Sequence, residues 1–236
     1  MKKLITLFAI AGMVLALAPA AQAADLAWTS GISGDYRIMF TTYGTTAATS
    51  TDITTYNAFV QGQADADADI LALGATWNAV ASTATHARDN TLTAGTGDAN
   101  DVPIYYVDGT LLALNNAALW GPNPNGAIAN PNGHVAAGAR VVLELDGTEA
   151  PGGTKVWTGT LEDGTRCPNS GDKYQLGQNN VQFGFATAAG QIADGRDNTW
   201  LIQNNENGTN PKPMYALSNP ITAGGGSTPG TLIYGK

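Results

Sequence analysis

A chain of 236 residues with 19 Asp and Glu against 11 Lys and Arg carries a formal charge of -8 at neutral pH. Arg37, Arg88, Arg140, Arg166 and Arg196 are scattered singly, so no basic patch offsets the acidity, which disfavours nucleic acid and anionic lipid, and no nucleic-acid partner is expected. Abundant Gly, Asn, Thr and Ala with only 13% charged residues argue against a helical bundle and for many short strands joined by turns and long loops.

The N-terminus reads as a signal peptide over residues 1–23. Lys2 and Lys3 form a basic start, Leu4 to Leu17 is an apolar run, and Ala21-Gln22-Ala23 is a small-x-small cleavage site. The run is short for a bilayer span, and no second run of spanning length follows. Loss of Lys2 and Lys3 makes the remaining chain still more acidic. It is expected to be secreted, outside the cell or at its surface, with no membrane insertion after cleavage.

Residues 24–219 read as a single domain. Tyr36 to Thr42 predicts a first strand. Thr51-Asp52 can cap a helix in which Ile53, Tyr56 and Val60 recur at helical spacing, running to about Asp69. Trp77 to Ser82 predicts a second strand, and Asp89 to Asp101 a polar loop. Pro103 to Val107 and Leu111 to Leu114 form a hairpin across Asp108-Gly109, since Gly accepts positive φ without steric cost. Asn116 to Trp120 predicts a helical turn, and the Pro-Asn-Gly-rich stretch 121–133 a loop. Arg140 to Leu145 reads as a strand ending at Asp146-Gly147, and Val156 to Thr160 as the next. Residues 161–195 read as mostly irregular, anchored by Phe183 and Phe185. Trp200 to Ile202 and Met214 to Ser218 read as closing strands, and 220–236 as a flexible Pro/Gly-rich tail.

Val156-Trp-Thr-Gly-Thr with Asp163-Gly-Thr, then Trp200, then Tyr215-Ala-Leu-Ser, in this order, resembles the endostatin-like branch of the C-type-lectin-like fold found in bacterial secreted proteins. The resemblance spans roughly residues 34 to 218. It implies an α+β domain with antiparallel strands, one or two helices and long loops. Many such proteins end in a Pro-Glu-Pro sorting segment, which has no counterpart after Ser218. The stapling cysteines of vertebrate members are missing apart from Cys167, so their zinc and heparin binding does not carry over. Cys167, the single cysteine, cannot form an internal disulfide and reads as a buried or semi-buried thiol.

The chemistry-bearing motifs are sparse. Asp65, Asp67 and Asp69 resemble the start of a calcium loop. The Gly and the acidic residue required at its sixth and twelfth positions are Ile70 and Thr76, so the expectation is no metal, with Asp65 and Asp69 on a solvated helix face. The triplets with which C-type lectins hold calcium and sugar are absent; Asn123-Pro-Asn125 and Asn130-Pro-Asn132 read as turns. Asp194, Asp197 and Asn198 fall where the ligand-facing loop of that fold would lie, and are the expected ligand-binding residues. No nucleophile elbow, His-Glu-x-x-His or phosphate loop occurs. His86, His134 and Cys167 show no catalytic spacing, and Glu144, Glu149 and Glu162 form no recognisable pair. No cofactor or enzymatic activity is therefore expected. Of the five tryptophans, Trp157 and Trp200 are expected in the core and Trp28 at the surface. Asn207-Gly-Thr209 matches a glycosylation sequon. The reading is a non-enzymatic binding module for an extracellular glycan, matrix component or protein. The alternative is a self-assembling subunit of a surface layer or filament.

Overall fold

The computed structural model describes residues 26–92, 102–120, 143–161, 163–170, 173–186 and 200–223. The architecture is α+β. Its main sheet has the order β2-β10-β1-β3-β4, built from β1 (Asp35–Thr41), β2 (Trp77–Ala79), β3 (Ile104–Tyr106), β4 (Leu111–Ala113) and β10 (Tyr215–Ser218). A short β11 (Ile221–Thr222) also pairs with β1. The first strand thus lies beside the last two, antiparallel to both, with Met39 opposite Leu217 and Tyr36 opposite Ile221. The β1–β3 pair is parallel, a departure from the antiparallel expectation. A second sheet has the order β5-β8-β9, from β5 (Lys155–Trp157), β8 (Asn180–Phe185) and β9 (Asn204–Asn207), and β6 (Pro168–Ser170) pairs with β7 (Lys173–Tyr174).

Four α-helices occur among the described residues, against the one or two helices expected: α1 (Ile53–Asp65), α2 (Ala68–Ala72), α3 (Ala87–Asn90) and α4 (Asn116–Trp120); a 3-10 turn covers Ala27–Gly31. Only α1 exceeds five residues. It starts where Asp52 accepts the Thr54 N–H at 2.9 Å, and buries Tyr56, Val60 and Ala64, three residues spaced four apart, against β2. It stops at Asp65 rather than Asp69. The Asp67 carboxylate accepts the N–H groups of Asp69 and Ile70, both at 3.0 Å, and so opens α2. Asp65 and Asp69 consequently lie on two helices and share no single helix face.

On the polar side of α1, Asn57 and Gln61 turn to the outer edge of β2. Asn57 Oδ1 accepts the Ala79 N–H at 2.9 Å, and Gln61 Oε1 accepts the Trp77 N–H at 2.8 Å. The edge strand is thereby covered by side-chain amides instead of another strand, which disarms it as a template for pairing.

Three Asp-Gly-Thr triplets build one turn three times. At Tyr106–Thr110, Glu144–Thr148 and Leu161–Thr165, the Gly N–H returns to the first residue's carbonyl at 3.1, 2.9 and 3.0 Å. The aspartate accepts the Thr N–H two residues on, at 2.9, 2.8 and 2.9 Å. Gly109, Gly147 and Gly164 take φ of 85°, 80° and 75°, a region costly for any side chain.

The core joins both sheets. Phe40, Tyr56, Trp77, Trp157 and Tyr215 are fully buried, and Trp200 and Trp120 stack at 6.1 Å. Cys167 is buried. Phe183 and Phe185 are buried as expected, but they belong to β8, which runs through the stretch read as irregular. Trp200 and Leu201 form a turn rather than a strand; the strand follows at the polar Asn204–Asn207. Of Arg140–Leu145, the described residues begin at Leu143, where Glu144 makes a single bridge to Thr41. Within the expected tail, Ile221 and Thr222 are part of the main sheet; residues 224–236 lie outside the described ones. No helix among the described residues is long and apolar enough to cross a membrane.

Candidate functional site

Beyond the end of β3, two of the Asp-Gly-Thr turns come together. Thr41, the last residue of β1, donates its N–H to Leu143 O at 2.7 Å, so residues 143–148 run alongside β1 where β3 has ended. This sets the turn at Asp146-Gly147 beside the one at Asp108-Gly109. Gly147 is within van der Waals reach of Val107, where a Cβ would sit 3.8 Å from a Val107 methyl.

Trp28 closes the arrangement from the other end of the chain. Its indole N–H donates to Val107 O at 2.8 Å. The ring lies on Gly109, where a Cβ would come within 2.8 Å of it, and packs against Tyr105 and Tyr36 at centroid distances of 5.3 and 5.9 Å. Trp28 is thus half-buried in an aromatic cluster rather than projecting as an exposed platform. Trp28, Val107, Asp108, Asp146 and Gly147 enclose an open polar pocket of about 250 Å³.

The electrostatics of the pocket's rim centre on Asp146. Burial pushes its carboxyl up, but the Tyr43 hydroxyl and the Thr148 hydroxyl and N–H all donate to it, and together they bring it below its ordinary value. The same contact acts oppositely on Tyr43, whose phenol is raised by burial, by the bond to Asp146 and by the nearby negative charges. Glu144 is also raised, by burial first and then by the Asp146 charge. The site therefore holds a stabilised carboxylate, a phenol that stays protonated and a second carboxylate at Asp108. That set accepts hydrogen bonds from hydroxyl or ammonium groups. It contains no nucleophile with an adjacent base.

Asp194, Asp197 and Asn198 lie outside the described residues, as do His134 and Glu162. His86 is engaged structurally: its Nδ1 accepts the Arg166 N–H at 2.8 Å. The Cys167 N–H donates to Gly159 O at 3.0 Å. Asn207, the exposed last residue of β9, accepts the Thr209 N–H and hydroxyl at 2.9 and 2.8 Å, the role aspartate plays in the Asp-Gly-Thr triplets. Among the described residues no three His, Cys, Asp or Glu side chains are grouped so as to hold a metal ion.

Two charged clusters are architectural. Arg37 is fully buried, its guanidinium pulled down to about 10 by burial. It donates to Ser218 O at 2.6 Å, Thr91 O at 2.5 Å and Asn116 Oδ1 at 3.3 Å. It clamps β1 and β10 to the segments around α3 and α4. Glu206 bridges Lys155 and Lys212, and Lys212 lies 4.5 Å over the Trp157 ring.

The pocket was not legible in the sequence as a site. Its turns were, through Asp-Gly, and the one available signal was that two of them repeat the same triplet. Nothing local joins position 28 to positions 108 and 146. No protein-family model matches the chain, and no curated protein matches it.

Proposed function

We propose that the chain is a secreted, non-enzymatic module that binds an extracellular glycan or the hydroxyl-rich surface of a matrix component or protein. The observation that carries this reading is the open pocket between the turns at Asp108 and Asp146, walled by Trp28. Carboxylates already fixed by a rigid turn meet a hydroxyl-bearing ligand at little cost in ordering, since carboxylate oxygens have lone pairs for more than one donor, and an indole ring suits the apolar face of a sugar. The long-range framing supports a site, since three separate segments meet only on folding. The C-type-lectin-like, endostatin-like assignment belongs to the same proposal. In its favour are the antiparallel pairing of first and last strands and the Trp157–Met214 bridge, which ties the Val156-Trp segment to the final strand region.

The test is a glycan and matrix-protein array probed with the secreted chain and with Asp108→Asn/Asp146→Asn. Asn207 shows that asparagine sustains the same turn bonds, so the double variant keeps the fold while removing both charges. Saturable binding that falls at least tenfold in the variant, at unchanged melting temperature, supports the proposal. Unaltered binding removes the pocket from it, and no saturable binding to any component overturns the module reading.

A further inference from the structure

A groove of about 370 Å³ lies on the opposite margin of the main sheet, lined by Tyr36, Leu73, Pro220 and Ile221 and by the hydroxyl residues Thr29, Ser30 and Thr222. Its chemistry follows from how the two halves of this margin are finished. Where β2 forms the margin, Asn57 and Gln61 of α1 take the outward N–H groups. Past Thr76, which still accepts the Asn219 N–H at 2.8 Å, the chain preceding β2 turns away into α2. There β11 becomes the margin. It pairs with β1 on one side, and among the described residues no strand pairs with its other side. Apolar surface accompanies this bare edge: Leu71, next to the groove walls, is 53% exposed. An unpaired strand edge beside a groove of mixed apolar and hydroxyl lining is the setting in which an extended, half-polar segment adds as a further strand.

We infer that the occupant is this chain's own segment Thr231-Leu-Ile-Tyr234, which adds antiparallel to β11 and fills the groove. The inference goes beyond the binding-module reading and does not depend on it. Three observations favour this segment. Its residues are β-branched, aliphatic and aromatic, the composition that suits a half-buried strand. Ala223, whose N–H donates to Gly34 O at 3.3 Å, ends the described chain at the groove's rim, so the segment is delivered at the site. Between them stand seven residues, Gly224-Gly-Gly-Ser-Thr-Pro-Gly230, which permit a reversal and span about 15 Å as a Gly-rich chain. A tether that short gives an effective concentration in the millimolar range, which favours closure within one molecule over exchange between copies. The added strand would continue the line of β2, because β2 is itself antiparallel to β10. It would finish the half of the margin that α1 does not reach.

The experiment is NMR on the secreted chain and on a form ending at Ala223, together with the full-length variant Ile233→Pro, which cannot pair as a strand. In the full chain, nuclear Overhauser contacts are expected between residues 231–234 and Leu73, Ile221 and Thr222. Amide exchange at Ile221 and Thr222 is expected to be at least tenfold slower than in the truncated chain or in Ile233→Pro. A peptide spanning residues 230–236 added to the truncated form should restore the slow exchange. Contacts that appear only between differently labelled molecules in a mixed sample would overturn closure within one chain and assign the groove to a second copy. Absent contacts with equal exchange in all three proteins would overturn the inference altogether.

Discussion

Trp157→Ala probes the junction of the two sheets. Trp157 is 0% exposed, its indole N–H donates to Asn210 O at 3.1 Å, and its ring meets Phe183 edge-on at 6.5 Å. Deleting a core tryptophan costs about 3–5 kcal/mol through lost transfer energy and the cavity left behind. One local term pushes the expectation upward and a second is nearly neutral. Lys212, itself almost buried, loses the ring face it covers at 4.5 Å, and a cation–π contact of this kind contributes about 1 kcal/mol. Asn210 is exposed, so its carbonyl turns to water and adds little. The expected loss is therefore about 4–5 kcal/mol. Urea titration followed by far-ultraviolet circular dichroism should show it as a lower midpoint at unchanged slope. Trp157→Phe keeps an aromatic surface under Lys212 and removes only the N–H and part of the volume, so about 1–2 kcal/mol is expected. A loss below about 1 kcal/mol for Trp157→Ala would show that the side chain does not seal the junction.

Gly184→Ala should prevent native folding at 37 °C, because the new Cβ would collide with the backbone carbonyl of Trp200 where that segment crosses β8; a melting temperature within about 2 °C of the parent would refute the crossing. Arg37→Lys should cost about 2–4 kcal/mol by chemical denaturation, since one ammonium cannot reach the three acceptors that the guanidinium fork serves. Glu206 is opposed by burial but held below its ordinary value by Lys155 and Lys212, so its contribution is present above the unfolded carboxylate range and is lost as pH falls through the folded value. Stability measured from pH 6 to pH 3 should therefore fall less steeply in Glu206→Gln, and an identical slope would contradict the bridge.

The local signals in the sequence translated well because they are short-range. Asp52 capped α1 and the Asp-Gly pairs became turns, each decided by bonds within a few residues. The expected helix runs to about Asp69, but the Asp67 side chain takes the N–H groups of Asp69 and Ile70, which ends α1 at Asp65 and starts a second helix. β9 was invisible for the opposite reason. Asn204-Asn-Glu-Asn207 has no strand propensity of its own and is held in register by β8, from Asn180 opposite Asn207 to Phe183 opposite Asn204. Its tolerance of polar residues follows from its outward position.

The same distinction explains why the candidate pocket escaped sequence reasoning while its parts did not. Asp108 and Asp146 were visible as turn residues, and a turn aspartate is already accounted for by the N–H it accepts. What gives them a second use is placement. The parallel β1–β3 pair leaves β1 longer than its neighbour at one end, the 143–148 segment occupies that vacated margin, and the two turns are brought side by side. Trp28 then reaches the pair only because the first described turn packs over Tyr36 and Tyr105. Each step is a long-range pairing, and none leaves a periodicity or spacing in the sequence. The pocket proposed to bind lies where strands of unequal length end, and unequal strand ends are a property of the sheet as a whole.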